Sequence, residues 1–271
     1  LFNVIIIKRK RKDIKNWYPI SIKKINQRIK DMLIPLAQSY TKCKKIKVYD
    51  DISFFKPNID DCFFPFDLSK NCLYFDYKIF YRYLITPEDY FGIKSDPEIL
   101  KKISEEKEFV NSKYGKIITL TLRNYSFEKE RNTNPDFWLD ILSHYKDKYY
   151  IVIIPDIENI NDKNFYEQFN DYCVLYKYSK NLKMKIALYE FSKLNFFPHT
   201  GNSVLSQLNK KSSSITYLKT YNKPNLNEKY FNRIGQTVGE TYKFLSNNHK
   251  ICWNSNKLEI INEANKILAN D

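Results

Sequence analysis

The chain has 271 residues, of which 43% are hydrophobic, so it can bury a substantial core and is not a disordered protein. Its formal net charge is +14 at pH 7, which favours anionic partners such as nucleic acid, a phosphorylated substrate or an anionic membrane surface. Its five cysteines show no Cys-x-x-Cys pair, and no stretch reaches the roughly 18 apolar residues of a membrane span. The composition therefore indicates neither a disulfide framework, nor a zinc site, nor a membrane helix.

In chain order, residues 1–7 predict a buried strand, and a run of basic residues follows from Lys8 to Lys12. That run is either a solvated turn or a contact for lipid or nucleic acid. Apolar residues at four-residue spacing then predict a helix from about residue 23 to residue 40, with a kink at Pro35. Residues 46–49 predict a short strand.

Residues 50–86 hold prolines and many aromatic residues and predict an irregular segment, and Asp96-Pro97-Glu98 predicts the start of a helical connector. From Gly115 onward, short β-rich runs alternate with helical patterns, which is typical of βαβ units. The second half is therefore predicted to be a doubly wound parallel sheet whose ligand lies outside the carboxyl ends of the strands. The predicted strands cover residues 116–122, 149–155, 174–176, 196–197 and 214–218, and the predicted helices cover residues 135–145, 164–172, 182–194, 203–209 and 257–268.

Three of these strands end in polar segments that a parallel sheet would bring to one edge. The first ends at Arg123, the second at Asp156, and the third in the turn Pro198-His199-Thr200-Gly201-Asn202. Arginine is suited to a bidentate contact with phosphate, so Arg123 is a candidate phosphate ligand or, alternatively, the ion-pair partner of Asp156. Arg131 precedes a helix that Asn134 is predicted to cap, and it faces either the same cleft or solvent.

The turn after the third strand has the pattern with which many α/β proteins bind phosphate. The first N–H groups of a helix point outward with the positive end of its dipole behind them, and Gly201 has no Cβ to hold a ligand away. Ser, Thr, Asn and Gly before an apolar run are also what an ordinary helix N-cap needs, in which case Asn202 would be the capping residue.

Two further candidates come from weaker patterns. Gly235 and Gly239, followed by Glu240, lack the third glycine of a dinucleotide-binding fingerprint and predict a loop followed by a helix. His199 is the one histidine of three at the predicted ligand edge, where it is either a catalyst or a structural hydrogen-bonding residue. The motifs of P-loop NTPases, serine hydrolases and zinc proteases are absent from the sequence.

Five segments occur in an order that is known from other proteins: Thr119 to Arg123, Arg131 to Asn134 before a Trp-bearing helix, Ile154-Pro155-Asp156, Ala187 to Glu190 and Pro198 to Asn202. Together they resemble bacterial GT-B type glycosyltransferase-like proteins, including the heptosyltransferase branch. The resemblance implies two Rossmann-like domains, an acceptor-side domain at residues 1–107, reduced or truncated, and a nucleotide-sugar domain at residues 108–271. It implies a nucleotide-diphosphate sugar as substrate, with no cofactor and no metal.

The predicted catalytic residues are Arg123 and His199, and the predicted donor-binding residues are Arg131, Asp156, Thr200, Gly201, Asn202, Ser203, Gly235, Gly239 and Glu240.

The sequence departs from that family pattern at two places. The turn continues as Gly201-Asn202-Ser203-Val204 instead of Gly-Pro-Met-His, and the glycine-rich acceptor loop expected near the N-terminus is absent. No general base stands out among Asp13, Asp50 and Asp51. These departures bear on activity rather than on fold.

The resulting expectation is a cytoplasmic glycosyltransferase that moves a sugar from a nucleotide-diphosphate donor to a cell-surface polysaccharide or lipid-linked acceptor. The charge also leaves room for peripheral contact with the anionic inner face of the membrane. The alternative is a non-catalytic nucleotide-sugar or glycan-binding protein of the same fold. A third hypothesis, nucleic-acid binding, has support only from composition and is disfavoured.

Overall fold

A computed structural model of the chain describes residues 2–7, 22–40, 43–50, 92–110, 112, 114–126, 128–224, 226–233, 235–243 and 245–269. The basic run at residues 8–12, Asp13, Asp51 and most of the segment predicted to be irregular lie outside the described residues.

The described N-terminal residues form two parallel strands joined by a helical segment. The strands β1 (Phe2–Ile7) and β2 (Cys43–Tyr49) pair in parallel, as the apolar runs predict. Between them lie α1 (Ile22–Arg28), a π-helical turn at residues 29–33, and α2 (Ile34–Ser39). Proline lacks an N–H and its ring crowds the preceding turn, so the disturbance predicted at Pro35 takes the form of this wider turn.

The rest of the described chain builds one six-stranded parallel sheet with helices on both faces. The strand order is β5-β4-β3-β6-β7-β8, and every neighbouring pair runs parallel. This confirms the predicted doubly wound sheet. The elements are α3 (Pro97–Ser104), α4 (Lys107–Val110), β3 (Ile117–Thr121), α5 (Pro135–Ser143), β4 (Tyr150–Ile154), α6 (Lys163–Glu167), β5 (Cys173–Val174), α7 (Tyr176–Lys180), α8 (Leu182–Phe191), β6 (Leu194–Phe197), α9 (Ser203–Gln207), β7 (Ser214–Leu218), α10 (Glu228–Arg233), β8 (His249–Trp253) and α11 (Lys257–Ala269).

Alternation along the strands divides the core between the two faces of the sheet. In β3, Ile118 and Leu120 pack with α5 and α11, whereas Ile117 packs on the opposite side with α3 and α8. The α5 face is closed by Trp138 and the α8 face by Ile186, both of which are buried. A third, smaller cluster lies under the loop that follows β7 and includes Phe231, Tyr242 and Trp253.

Helix α3 belongs to the packing of this sheet. Asp96 caps it as predicted, because its carboxylate accepts the Glu98 N–H over 3.0 Å. Its Ile103 is fully buried and packs in the same cluster as α8. The domain boundary predicted after residue 107 stays a prediction.

Two elements near the C-terminus differ from the sequence expectation. His249 begins strand β8 instead of lying in a turn, and its buried ring is hydrogen-bonded at 2.9 Å to the hydroxyl of Ser214. The strand is short and directly follows an Asn-rich turn, so its pairing with β7, rather than its local sequence, identifies it.

Helix α10 precedes Gly235, whereas a helix was expected after the glycine pair. Every described helix is too short or too polar to cross a lipid bilayer.

Candidate functional site

The order of the strands reverses between β3 and β6. From β3 the sheet continues in one direction through β4 and β5, and in the other through β6, β7 and β8. Loops that leave the carboxyl ends of two such strands diverge and open a crevice, which is where doubly wound proteins bind ligands. Arg123 after β3, Asp156 after β4 and residues 198–203 after β6 therefore meet at one edge, as predicted.

The turn after β6 is held by its own polar groups. The Thr200 N–H donates to the Pro198 carbonyl over 2.6 Å, and the Ser203 hydroxyl donates to the Thr200 carbonyl over 2.9 Å. Within the described residues, the N–H groups of His199 and Gly201 donate to no acceptor. Two unengaged backbone donors in one turn are suited to an anionic ligand.

Gly201 lies exposed in this turn. It is not among the residues with a left-handed φ, and a Cβ built on it would meet no atom within 4 Å. Backbone strain therefore does not require glycine here, although open space in front of the turn does favour the approach of a ligand. Helix α9 has only five residues, so the local N–H groups, rather than a long helix dipole, supply the attraction for an anion.

Asn202 does not cap α9, contrary to the alternative considered from the sequence. Its backbone is already helical, at φ −64 and ψ −25, and its side chain makes no capping bond. Backbone hydrogen bonds between residues three positions apart already begin at Thr200, before α9, because the Ser203 N–H donates to the Thr200 carbonyl over 3.4 Å. The Asn202 amide instead points inward, where its Oδ1 accepts a hydrogen bond from the Lys185 ammonium over 3.2 Å.

Lys185 is a charged residue of the site that the sequence reasoning missed. It lies on α8 and is 6% exposed, and its ammonium reaches the turn through the hydrogen bond to Asn202. Burial lowers the pKa of Lys185 to about 8, while the negative charge of Asp156 acts in the opposite direction. A lysine on the same helical face as the buried Leu188 and Tyr189 is the signal that would have found it.

Arg123 leaves β3 in a buried position, with 8% of its surface exposed. Its backbone is fixed to Thr133 on both sides: its N–H donates to the Thr133 hydroxyl over 2.8 Å, and its carbonyl accepts the Thr133 N–H over 2.9 Å. The guanidinium lies 5.2 Å from the centre of the Tyr125 ring. Its positive charge opposes the rise in the pKa of Asp156 that burial causes. Whether Arg123 is a phosphate ligand or the ion-pair partner of Asp156 stays a prediction.

The Asp156 carboxylate is used for loop structure. It accepts the N–H groups of Asn124 and Glu158, each over 3.1 Å. Burial raises its pKa, and these hydrogen bonds together with the charges of Arg123 and Lys185 oppose that rise. Asp156 therefore holds the loop after β4 and partly balances the positive charge of the site.

Arg131 fixes the turn from outside. Its Nε and Nη2 both donate to the His199 carbonyl, over 3.3 and 3.2 Å, and its Nη1 pairs with Glu128 at 2.6 Å. This fork holds the turn in place and adds positive charge beside it.

His199 lies at the ligand edge with a half-buried ring. Its Nδ1 is buried and has no hydrogen-bond partner within the described residues. Burial, followed by the charges of Arg131 and Arg123, lowers the pKa of His199 well below its ordinary value. The imidazole is therefore neutral at pH 7 and suited to hydrogen bonding with a ligand more than to storing a proton.

The glycine pair near residue 235 ends a helix. The Gly235 N–H donates to the Asn232 carbonyl over 3.2 Å and the Gln236 N–H to the Phe231 carbonyl over 2.9 Å, while Gly235 has φ 86. This is the Schellman arrangement that closes helix C-termini. Gly235, Gly239 and Glu240 do not line the cleft described next, and the residue that does is Gln236.

A cleft of about 110 Å³ opens beside the turn, between the carboxyl ends of β6 and β7. Of the predicted residues, Arg131, His199, Thr200, Gly201 and Ser203 contribute to its wall. Its remaining walls come from residues that the sequence reasoning did not single out: Val204, Gln207, Thr216, Leu218, Gln236 and Tyr242.

The described residues contain no group of three or more His, Cys, Asp or Glu side chains that could hold a metal ion. Metal independence stays a prediction. The described cysteines Cys43, Cys173 and Cys252 are free thiols.

No family model and no curated protein matches the chain. Several solved structures overlap with it in part. E. coli ADP-heptose lps heptosyltransferase II is 10% identical over 66% of this chain and 54% of its own, with a TM-score of 0.46. The glycosyl transferase family 9 protein from Veillonella parvula is 8% identical over 67% and 54%, with a TM-score of 0.47, and the E. coli heptosyltransferase WaaC with ADP is 16% identical over 60% and 44%, with a TM-score of 0.35.

The chain spans about half the length of these solved structures. All three are glycosyltransferases by name, which is the class that the sequence motifs resemble.

Proposed function

We propose that the chain binds the diphosphate of a nucleotide-sugar at the point where the strand order reverses, and that it is a glycosyltransferase. One observation carries this proposal. Four of the five segments in which the sequence resembles GT-B type enzymes reach a single edge of the sheet, around a turn with two unengaged N–H groups, and the fifth lies within α8. The cations Arg123, Arg131 and Lys185 surround that turn.

The charge at this edge favours a diphosphate over a neutral ligand. The edge holds three cationic side chains and two carboxylates, those of Asp156 and Glu128, and Glu128 is paired with Arg131. Buried cations such as Lys185 are costly without an anion nearby, and a diphosphate would supply one.

In the proposed reaction, an acceptor hydroxyl oxygen bonds to the sugar carbon and releases its proton to solvent, the bond between that carbon and the β-phosphate oxygen breaks, and negative charge grows on the departing nucleoside diphosphate. Arg123, Lys185 and the N–H groups of His199 and Gly201 would hold that charge in a fixed, partly desolvated setting. Arg131 would act indirectly by holding the turn. Transfer to a polysaccharide or lipid-linked acceptor at a cytoplasmic location, without metal, completes the proposal.

The alternative is a protein of the same fold that binds a nucleotide-sugar without turnover. The absence of a glycine-rich acceptor loop from the sequence favours it. The two functions share the diphosphate site and differ only in whether the bound donor is consumed.

Thermal unfolding in the presence of nucleoside diphosphates and their sugar conjugates tests the shared site. A ligand at 100 times its Kd stabilises the folded chain by about 2.7 kcal/mol, or roughly 5 to 10 °C for a chain of this size. No shift with any conjugate would reject the proposal.

A turnover assay separates the two functions. Release of free sugar, or of a transferred product with a membrane extract, unchanged by a chelator, supports the transferase. Tight binding without turnover supports the binding protein. Strongly salt-dependent binding to DNA or RNA instead would favour the nucleic-acid hypothesis.

A further inference from the structure

Two loops that leave non-neighbouring strands touch each other beyond the sheet. Strand β6 lies between β3 and β7, so the loops that follow β3 and β7 stand on either side of the turn after β6. In the loop after β3, the Glu130 carboxylate pairs with the Lys223 ammonium, and the Glu130 carbonyl accepts the Tyr221 hydroxyl. Lys223 and Tyr221 belong to the loop after β7. We call these two contacts the bridge.

The bridge joins two walls of the cleft beside the turn. Arg131, the residue after Glu130, forms part of one wall, and Leu218, at the end of β7, forms part of another. Burial raises the pKa of Tyr221, and the charge of Arg131 opposes that rise, which places the two side chains near each other. The separation of the two walls therefore depends on whether the bridge is closed.

The loop after β7 is held together by its own contacts. The Tyr221 ring packs against the third hydrophobic cluster, which contains Phe231 and Trp253. The Tyr221 N–H donates to the Leu226 carbonyl over 2.8 Å, and the Lys223 N–H donates to the Tyr221 carbonyl over 2.8 Å. Tyr221 and Lys223 are thus presented to Glu130 by one folded loop.

The segment on the other side of the bridge is strained. Glu128 has φ 52 and ψ 60, a left-handed conformation that costs free energy for a residue other than glycine. The Arg131 guanidinium pairs with Glu128 at 2.6 Å and also donates to the His199 carbonyl. A strained segment persists only where its surroundings impose it, so contacts made by residues 128–131 control the position of Arg131 beside the turn.

The bridge is weak enough to open. The side chains of Lys223 and Glu130 are 47% and 37% exposed, and an exposed ion pair contributes little because water competes for both charges. One hydroxyl hydrogen bond adds a similarly modest amount. Contacts of this strength bias two loops toward each other without locking them, which is typical of lids that open for each ligand.

We propose that the bridge is a gate, which holds the two walls together in the ligand-free chain and parts to admit a ligand to the turn and to release it. Glu130, Tyr221 and Lys223 are its closing residues. The gating of a diphosphate rests on the proposed function, whereas the coupled opening of the two loops does not.

Binding rates test the gate, with whichever of ADP, GDP and UDP raises the unfolding temperature as the probe and stopped-flow tryptophan fluorescence as the readout. Glu130→Gln removes a negative charge, Lys223→Met removes a positive charge, and Tyr221→Phe changes no charge. Attraction of an anion by charge alone predicts faster, slower and unchanged association in that order. The gate predicts faster association in all three, by about threefold each, with a similar rise in the dissociation rate.

Two exposed residues of α10 supply matched controls. Glu228→Gln and Lys229→Met remove the same charges as the first two variants and do not touch the bridge. They report the effect of charge on association by itself. An association rate of Lys223→Met that does not exceed that of Lys229→Met overturns the gate.

Hydrogen exchange of the ligand-free chain tests the coupling of the two loops without any ligand. Glu130→Gln should speed amide exchange several-fold at residues 219–224, in the other loop, and Lys223→Met should do so at residues 129–132. Exchange that changes only in the loop that carries the substitution would show that the loops open independently, and it too would overturn the gate.

The outcomes separate the gate from the proposed function. If a diphosphate binds and the bridge variants do not accelerate its association, the gate falls while the diphosphate site stands. If no diphosphate binds, the proposed function falls, and hydrogen exchange alone decides whether the two loops open together.

Discussion

Replacing the buried Lys185 by methionine should stabilise the ligand-free protein. Burial lowers the pKa of Lys185 from 10.5 to about 8, which corresponds to about 3 kcal/mol against the charged form. The substitution also leaves Asn202 Oδ1 without its donor, at a cost of about 1 kcal/mol. We therefore expect the free energy of unfolding of Lys185→Met to exceed that of the natural chain by about 2 kcal/mol at pH 7.

The dependence on pH gives the same reasoning a second test. Below pH 8 both the folded and the unfolded chain hold the lysine proton, whereas between about 8 and 10.5 the unfolded chain holds a proton that the folded chain has lost. Stability must then rise with pH across that window and level off above it. Lys185→Met should lose this rise, as measured by urea unfolding at a series of pH values.

Binding should respond in the opposite direction to stability. Lys185→Met should weaken the binding of a nucleoside diphosphate about tenfold or more, because a desolvated ammonium bonded to phosphate contributes about 1.5 to 3 kcal/mol. Lys180→Met removes the same charge from an exposed position at the end of α7 and serves as the control. A Lys185→Met protein that is less stable at pH 7, or that binds diphosphate normally, would refute this account of the site.

Three further predictions concern single residues. Gly201→Val should leave the unfolding temperature nearly unchanged, since a Cβ there meets open space, yet it should abolish diphosphate binding in calorimetry. Arg123→Lys should weaken the same binding by more than about 1 kcal/mol, because a point charge cannot replace a bidentate fork, and unchanged affinity in a folded variant would contradict the contact. Burial lowers the pKa of His249 to about 4, so stability should fall as the pH drops from 6.5 to 4; His249→Gln should flatten that fall by about 3 kcal/mol in urea unfolding.

The sequence predicted the sheet because strand alternation and helix periodicity are local properties. Runs such as Ile117–Thr121 and Tyr150–Ile154 are buried on both faces and are therefore almost wholly apolar or β-branched, which is visible without any partner. The same locality gave the helix starts at Asp96 and Asn134, whose side chains accept N–H groups of the first turn. The edge that carries the site followed from the rule for parallel strands.

The roles of individual residues at that edge could not be predicted from the sequence, because they depend on contacts between distant segments. Asn202 has the residue type of a cap, but Lys185, 17 positions earlier, draws its amide inward. Gly235 resembled part of a nucleotide loop, but its left-handed φ closes α10. In both cases the residue type was interpreted correctly as special, and only the three-dimensional partner could decide for which purpose.

Lys185 has a property that links it to function. It is a charged side chain more than nine-tenths buried, placed where an apolar residue would stabilise the fold better. A protein that needed only to fold would gain from leucine or methionine at this position. The cost falls beside the turn at residues 198–203, because the Lys185 ammonium donates to Asn202 Oδ1 there. An anionic ligand held by the same turn would offset that cost, and the proposed diphosphate is such a ligand.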